Sequence, residues 1–211
     1  MHAQSLGGTS AKMRILQAAG DLFHKQGIRA TSPEQIIKAS GTGKGQFYHY
    51  FKNKNLLVHA VLQSCLKAVR TGTTPISYDI ASWEDLRNFF VSHIEFQRQY
   101  AMTRSCPIGA IGHEVNEEDE LIRQDVGLIL EVMKGKLAAF FIREKAKGRF
   151  SQDAKPEVVA DFCIAIIQGA MLLGKVNRSR MPADAAVEEA LLHLKFYAPK
   201  SRHSLARKMT A

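Results

Sequence analysis

The chain has 211 residues, 45% of them hydrophobic, which is enough apolar content to bury one large core or two small ones. No apolar run approaches the ~20 residues that a membrane-spanning helix needs, and the opening MHAQSLGGTSAK lacks the apolar centre of a secretion signal, so a cytoplasmic protein without a membrane partner is expected. The formal charge of +9 is unevenly placed: residues 1–55 set eight Lys/Arg against Asp21 and Glu34, residues 198–211 add four basic residues and no acid, and the long middle is near neutral. That distribution points to a polyanion partner for one part of the chain.

In chain order, residues 1–8 are small and polar and are expected to form a disordered tail, as are residues 200–211. From Ala11, apolar residues recur at spacings of three and four (Ile15, Ala18, Ala19, Leu22, Phe23), which predicts a helix ending at Gly27. The stretch TSPEQIIKASGTGKGQFYHYFKNK, Thr31–Lys54, then holds two short helical patterns around a glycine turn. Ser32, Pro33 and Gln35 have the order of a capping box that starts the first, and Ser40-Gly41 ends it. The second begins near Gly43 and carries Gln46, Phe47, Tyr48, His49, Tyr50 and Phe51. Two short helices joined by a tight Gly turn form a helix-turn-helix, whose second helix can lie in a DNA major groove.

Asn53 is the expected cap of a fourth helix, with Leu57, Val58, Val61, Leu62, Cys65 and Leu66 on its buried side. Thr73-Thr74-Pro75 marks a boundary, after which the pattern reads as helices with short breaks. Ser82 caps one; a short segment CPIGAIGHEV follows; the acids Glu117–Glu120 suit the start of a long helix reaching Lys147-Gly148. Pro156 and Pro182 open the last two, and Pro199 ends the series. The fold class is therefore all-α.

Residues 13–58 resemble the amino-terminal DNA-binding domain of the TetR family of transcriptional regulators. The match rests on ILQAAGDLFHKQG, TSPEQIIKASG and GKGQFYHYFKNKNLL in that order, with Tyr48-His49-Tyr50-Phe51 followed by Lys54 and Leu57. The resemblance implies a helix-turn-helix DNA-binding domain over 9–69, with the motif at about 32–51, and a helical effector-binding and dimerisation domain over 70–199. It further implies a homodimer that represses transcription from double-stranded operator DNA and is released by a small-molecule effector. An activator or corepressor-dependent regulator of the same fold is an alternative, as is a helical binding protein or enzyme whose basic end binds DNA without sequence preference. The chain departs from the usual pattern at Thr42-Gly43, where an apolar residue and serine are common, and at Gln46, where threonine is frequent.

Candidate DNA-binding residues are Thr31, Ser32, Thr42, Lys44, Gln46, Tyr48, His49 and Lys54. Gln46 can pair with adenine through its amide, the cations suit phosphates, and Thr31 and Ser32 start a helix whose free N–H groups favour anions. Phe47, Tyr50 and Phe51 are expected to be partly packed. The string Gly41-Thr42-Gly43-Lys44-Gly45 is no phosphate loop, because Lys38 stands where the first glycine is needed and Gly45 where Ser or Thr is. No enzymatic constellation, metal spacing or cofactor motif is found: His24, His93, His113 and His193 are scattered, and no nucleophile elbow is present.

An effector pocket is expected among Phe89, His93, Phe96, Cys106, Ile108, Ile111 and Met133. Cys106 precedes Pro107 and follows Arg104, a setting that can favour a thiolate, and some TetR-like regulators that sense electrophiles carry a cysteine in a comparable segment. The competing reading is a small buried residue, and Cys65, Cys106 and Cys163 all read as reduced thiols. A dimer interface is expected at Phe162, Ala165, Ile166, Gly169, Leu173, Val187, Leu191 and Leu194, where small residues interrupt apolar helices and the resemblance places a four-helix bundle.

Overall fold

A computed structural model describes residues 10–197. The tails expected at 1–8 and 200–211, and the stop expected at Pro199, lie outside the described residues. Among those described there are nine helices and no strand: α1 (Ala11–Gln26), α2 (Pro33–Ser40), α3 (Lys44–Tyr50), α4 (Lys54–Thr71), α5 (Trp83–Arg98), α6 (Pro107–Gly112), α7 (Glu120–Ala146), α8 (Pro156–Asn177) and α9 (Met181–Lys195).

The boundaries have local chemical causes. Ser32 Oγ accepts from the Gln35 N–H while Gln35 Oε1 accepts from the Ser32 N–H at 2.8 Å, a complete capping box. Gly41 ends α2 at φ 60°, the left-handed conformation that a Cβ disfavours. Asn53 and Ser82 accept N–H bonds from the first turns of α4 and α5. Gly43 has no side chain to give, so α3 begins with half a box, Gln46 Oε1 accepting from the Gly43 N–H at 3.3 Å.

Two of the expected starts move. Glu117 and Glu118 sit in a turn ahead of α7, which begins at Glu120, and α9 begins at Met181 with Pro182 in its first turn. A third feature lies outside what counting unbroken apolar runs can detect. By length and composition alone the 22-residue α8 is apolar enough to cross a membrane, with an 18-residue window of mean hydropathy 1.7. Asp161 and Gln168 break the stretch into short apolar runs, while its average stays high enough. Here α8 packs against α5, α7 and α9, and only 39% of its apolar window is buried by them.

The core is continuous from end to end. Ile15, Ala19 and Phe23 of α1 meet Ile36, Phe47, Phe51, Leu57 and Val58, all nearly or fully buried, which fixes α2 and α3 as a unit on α1 and α4. In the larger half Trp83 packs edge-on against Phe140 at 5.3 Å, and Phe141 and Phe150 complete the cluster. The long α7 runs beside both α4 and α8, so it joins the two halves.

Candidate functional site

Side chains on α3 divide by helical spacing. Phe47 and Phe51, four residues apart, are buried at 1% and 4% exposure. Lys44, Gln46, Tyr48 and His49 are exposed. Tyr50 joins them at 41% exposure, against the expectation that it is partly packed; its ring edges onto His49 on the outside of the helix. No Cβ at Gly43 or Gly45 would meet another atom within 4 Å, so the start of α3 is open to close approach.

Three candidate residues are placed differently from the expectation. The Thr31 side chain is 1% exposed and its hydroxyl donates to Gly27 O at 2.6 Å, so it offers no free group to a phosphate. Thr42 is turned inward and shares a 2.7 Å hydrogen bond with Ser40, closing the turn between α2 and α3. Lys54 is half-buried and donates to Thr31 O at 3.0 Å, tying the start of α4 to the entry of α2. Ser32 keeps its capping role at the edge of the same surface.

The junction between the halves was not anticipated. Glu114, in the turn after α6, accepts the Ile28 N–H at 3.0 Å through Oε1 and the Arg29 N–H at 2.8 Å through Oε2. Beside it Arg29 donates to Asn116. His24 donates through Nε2 to Ser105 O at 2.8 Å, and Arg104 donates to Asp21 at 2.7 Å while lying over the Tyr100 ring. Farther along, buried Asp125 of α7 accepts from His59 at 2.6 Å and Gln63 at 2.7 Å, both on α4.

Inside the larger half lies a cavity of about 240 Å³. Of the residues expected at an effector pocket, His93, Phe96, Cys106, Ile108 and Met133 line it. Phe89 and Ile111 do not: Phe89 packs behind the wall against the His93 and Tyr78 rings, and Ile111 faces α1. Cys65, Tyr78 and Met171 were missed. Tyr78 had a signal, since Ile76, Tyr78 and Ile80 alternate along the α4–α5 connection and all three are buried. Arg104, the neighbour invoked to favour a thiolate at Cys106, is engaged by Asp21 and Tyr100, and Cys106 itself is buried at 6% exposure.

Burial holds the His93 imidazole down at about 4, against the opposing effect of its bond to Phe89 O, and burial pushes the Tyr78 phenol up. Both groups are neutral at pH 7. His24 is also held below the ordinary imidazole range, first by burial and then by the adjacent Arg104 guanidinium.

On the outer face of α8, Val158, Phe162, Ala165, Gly169, Leu172 and Val176 recur at helical spacing, with Val158 at 58% and Val176 at 69% exposure. Ile166 and Leu173 flank this stripe, and Leu192 and Phe196 extend it onto and just beyond α9. Val187 and Leu194, expected at an interface, are instead 3% and 1% exposed inside the chain, and Leu191 is half-buried. Apolar residues on both sides of α9 made its inner face look like its outer one.

Comparison with known proteins gives one consistent picture. The family model described as bacterial regulatory proteins, tetR family, matches residues 15–61, and that of the tetracyclin repressor-like C-terminal domain matches 82–190. The HTH-type transcriptional repressor DhaR of Mycobacterium sp. (strain GP1) is 26% identical, over 87% of this chain and 93% of that protein. The transcriptional regulator AcuR of Cereibacter sphaeroides is 25% identical, over 79% and 77% respectively. The crystal structure of a regulatory protein TetR from Rhodobacter sphaeroides aligns with a TM-score of 0.73 at 22% identity, covering 88% of this chain and 99% of that one.

Two outcomes follow from this arrangement. Below the ordinary imidazole pKa of about 6.5, the unfolded chain takes up a proton that folded His93 refuses until about pH 4, so stability present above that window is lost as pH falls through it. Between about pH 7 and pH 5 His93 costs about 2 kcal/mol, at about 1.4 kcal/mol per pH unit, and His24 adds to the fall. Urea denaturation at both pH values checks this, with His93→Gln expected to flatten the dependence; an unchanged slope in the variant removes His93 as its cause. Separately, Glu114→Ala leaves the Ile28 and Arg29 amides without their carboxylate acceptors. Their hydrogen exchange should speed up by at least about tenfold, with α7 and α8 protected as before.

Proposed function

The chain belongs to the TetR family of bacterial regulatory proteins and is a DNA-binding regulator of transcription; on that premise we propose that it is a homodimeric repressor released from its operator when a small molecule fills the cavity. It works by binding rather than by a catalytic step, in the cytoplasm, with residues 9–69 reading DNA and 70–199 taking the second subunit and, together with Cys65, Ala68 and Val69 at the end of α4, the effector. The Mycobacterium relative is a named repressor, which supports that sign of regulation.

The observation that carries this reading is that one short element touches both ends of the problem. Cys106, Pro107 and Ile108, at the start of α6, line the cavity, and Glu114, just past its end, holds the backbone of the α1–α2 turn. An occupant that displaces α6 therefore displaces the support of the helix-turn-helix. It shifts the equilibrium only if it binds the DNA-competent and incompetent arrangements with different affinity.

Lys44, Gln46, Tyr48 and His49 form the proposed DNA face, with Ser32 and Lys54 at its edge. Gln46 has a double duty: its Oε1 caps α3 in the free protein while its amide N–H groups remain available for a base or phosphate. The exposed stripe on α8 supports a dimer. Pairing it with a second copy removes apolar surface from water, and two α3 helices spaced by about 34–36 Å can then enter successive major grooves.

Fragments selected from random DNA by the purified full-length protein test the reading. A palindromic set should emerge, bound at least about a thousandfold tighter than random sequence at physiological salt; equal binding to both would sink it. On the selected site, Gln46→Ala should change preference at one base position by about 1–3 kcal/mol, whereas Lys44→Ala should weaken all sequences alike and lower the salt slope by about one. Leu173→Glu, at a 48%-exposed position, should leave the fold intact and yield monomers in sedimentation. Dimers of unchanged affinity would move the interface elsewhere.

A further inference from the structure

Among the described residues no Lys, Arg, Asp or Glu side chain lines the cavity. An ion entering it would lose its water without gaining a partner, at a cost that apolar walls such as Val69, Phe96 and Ile108 do not offset. At the mouth the threonine hydroxyls are already engaged, Thr74 donating to Ile76 O at 2.7 Å and Thr73 sharing a bond with Thr71 at 3.0 Å. Besides the weakly polar thiols of Cys65 and Cys106, the directional side chains lining the space are the Tyr78 hydroxyl and the His93 ring.

Geometry fixes the form of that ring. His93 Nδ1 lies 2.7 Å from Phe89 O, and a carbonyl can only accept, so the proton is on Nδ1 and Nε2 presents a lone pair. Among the described residues Tyr78 faces that lone pair, and its oxygen is 3.4 Å away, well beyond the usual length of a bond from a hydroxyl donor. A buried donor and a buried acceptor therefore stand side by side, too far apart to satisfy one another well.

We propose that the cavity binds a compact, uncharged and mainly apolar molecule bearing a hydroxyl group, a phenol or small alcohol, whose oxygen seats against the Tyr78–His93 pair. The ligand hydroxyl donates to His93 Nε2 and accepts from the Tyr78 O–H, so three polar groups are satisfied at once. A ketone or ether meets Tyr78 but leaves Nε2 unpaired, and a carboxylate or ammonium brings a charge that nothing in the wall answers. Size sets the other limit. A cavity of about 150 Å³ admits benzene, so this one, at about 240 Å³, takes a molecule of about ten non-hydrogen atoms. The inference rests on the reading of this cavity as the effector site and gives that effector a chemical class.

Calorimetric titration of the full-length protein with para-ethylphenol, para-ethylanisole, para-ethylbenzoate and ethylbenzene tests it. The phenol should bind about tenfold more tightly than its methyl ether, and the benzoate should give no binding. Tyr78→Phe should weaken the phenol by a similar factor and leave ethylbenzene unchanged, while Ala68→Phe, which fills the space, should abolish binding of both, with thermal melts showing that each variant is folded. Equal affinity for phenol and ether, tighter binding of the benzoate, or no binding of any of the four overturns the inference. If the phenol binds with these preferences but the affinity for selected DNA fragments does not change, the cavity chemistry stands and the release reading falls.

Discussion

The two oxygens of Glu114 tie the helix-turn-helix end of this structure to the rest. They accept the N–H groups of two consecutive residues, Ile28 and Arg29, in the turn between α1 and α2. Both bonds are assisted by a formal charge, the stronger class of hydrogen bond. Their approach depends on Gly27, which has φ 88° and whose added Cβ would fall 2.1 Å from Oε1. The same glycine carbonyl accepts the buried Thr31 hydroxyl, and Thr31 O accepts Lys54. One turn therefore gathers α1, α2, α4 and the end of α6 around a single backbone path.

That arrangement explains why a helix as short as α3 can be held in a defined place. Seven residues are too few for a stable isolated helix, its first residues include Gly45, and its cap is half made. Its position comes from Phe47 and Phe51, which sink into the core shared with α1 and α4, and from the turn closed by Ser40 and Thr42. The exposed side chains inherit their order from those buried ones. Burying Thr31 and Thr42 is part of the same construction: their hydroxyls serve the protein's own backbone and side chains, which leaves the outward work to α3.

What could be read from the sequence is what is chemically local. Ser32 with Gln35, Asn53, Ser82 and the glycines at 27 and 41 act within a few residues of themselves, and their spacing announces the helices they bound. Much of the cavity was legible too, because His93, Phe96 and Met133 sit on inward faces of helices whose period is visible. Glu114 was not legible. It meets residues 85 and 86 positions earlier, and nothing in EVNEED distinguishes the one carboxylate that turns inward from those that face water. The pairing of Tyr78 with His93 and of Asp125 with His59 is hidden for the same reason. On α9 the failure was of a different kind: apolar residues occupy both sides, so periodicity named a helix without naming its inner face.

The neutrality of the cavity constrains how it can speak to DNA. Basic charge is concentrated at the end that reads the phosphate backbone, and an ionic effector could alter that field from a distance; an uncharged one cannot. In the proposed mechanism its influence must travel by packing, through atoms that are pushed. Among the walls, α4 is pinned to α7 through Asp125, and α5 and α8 are pinned together by Gln97, whose amide donates to Met171 O at 2.6 Å. The start of α6 is held through the residues just before it, His24 donating to Ser105 O and Gln97 to Arg104 O, rather than through the helix itself. The helix is six residues long, no side chain caps it, and a proline occupies its first turn. In the proposed mechanism the wall that moves is the one continuous with Glu114, which carries the push to the turn between α1 and α2.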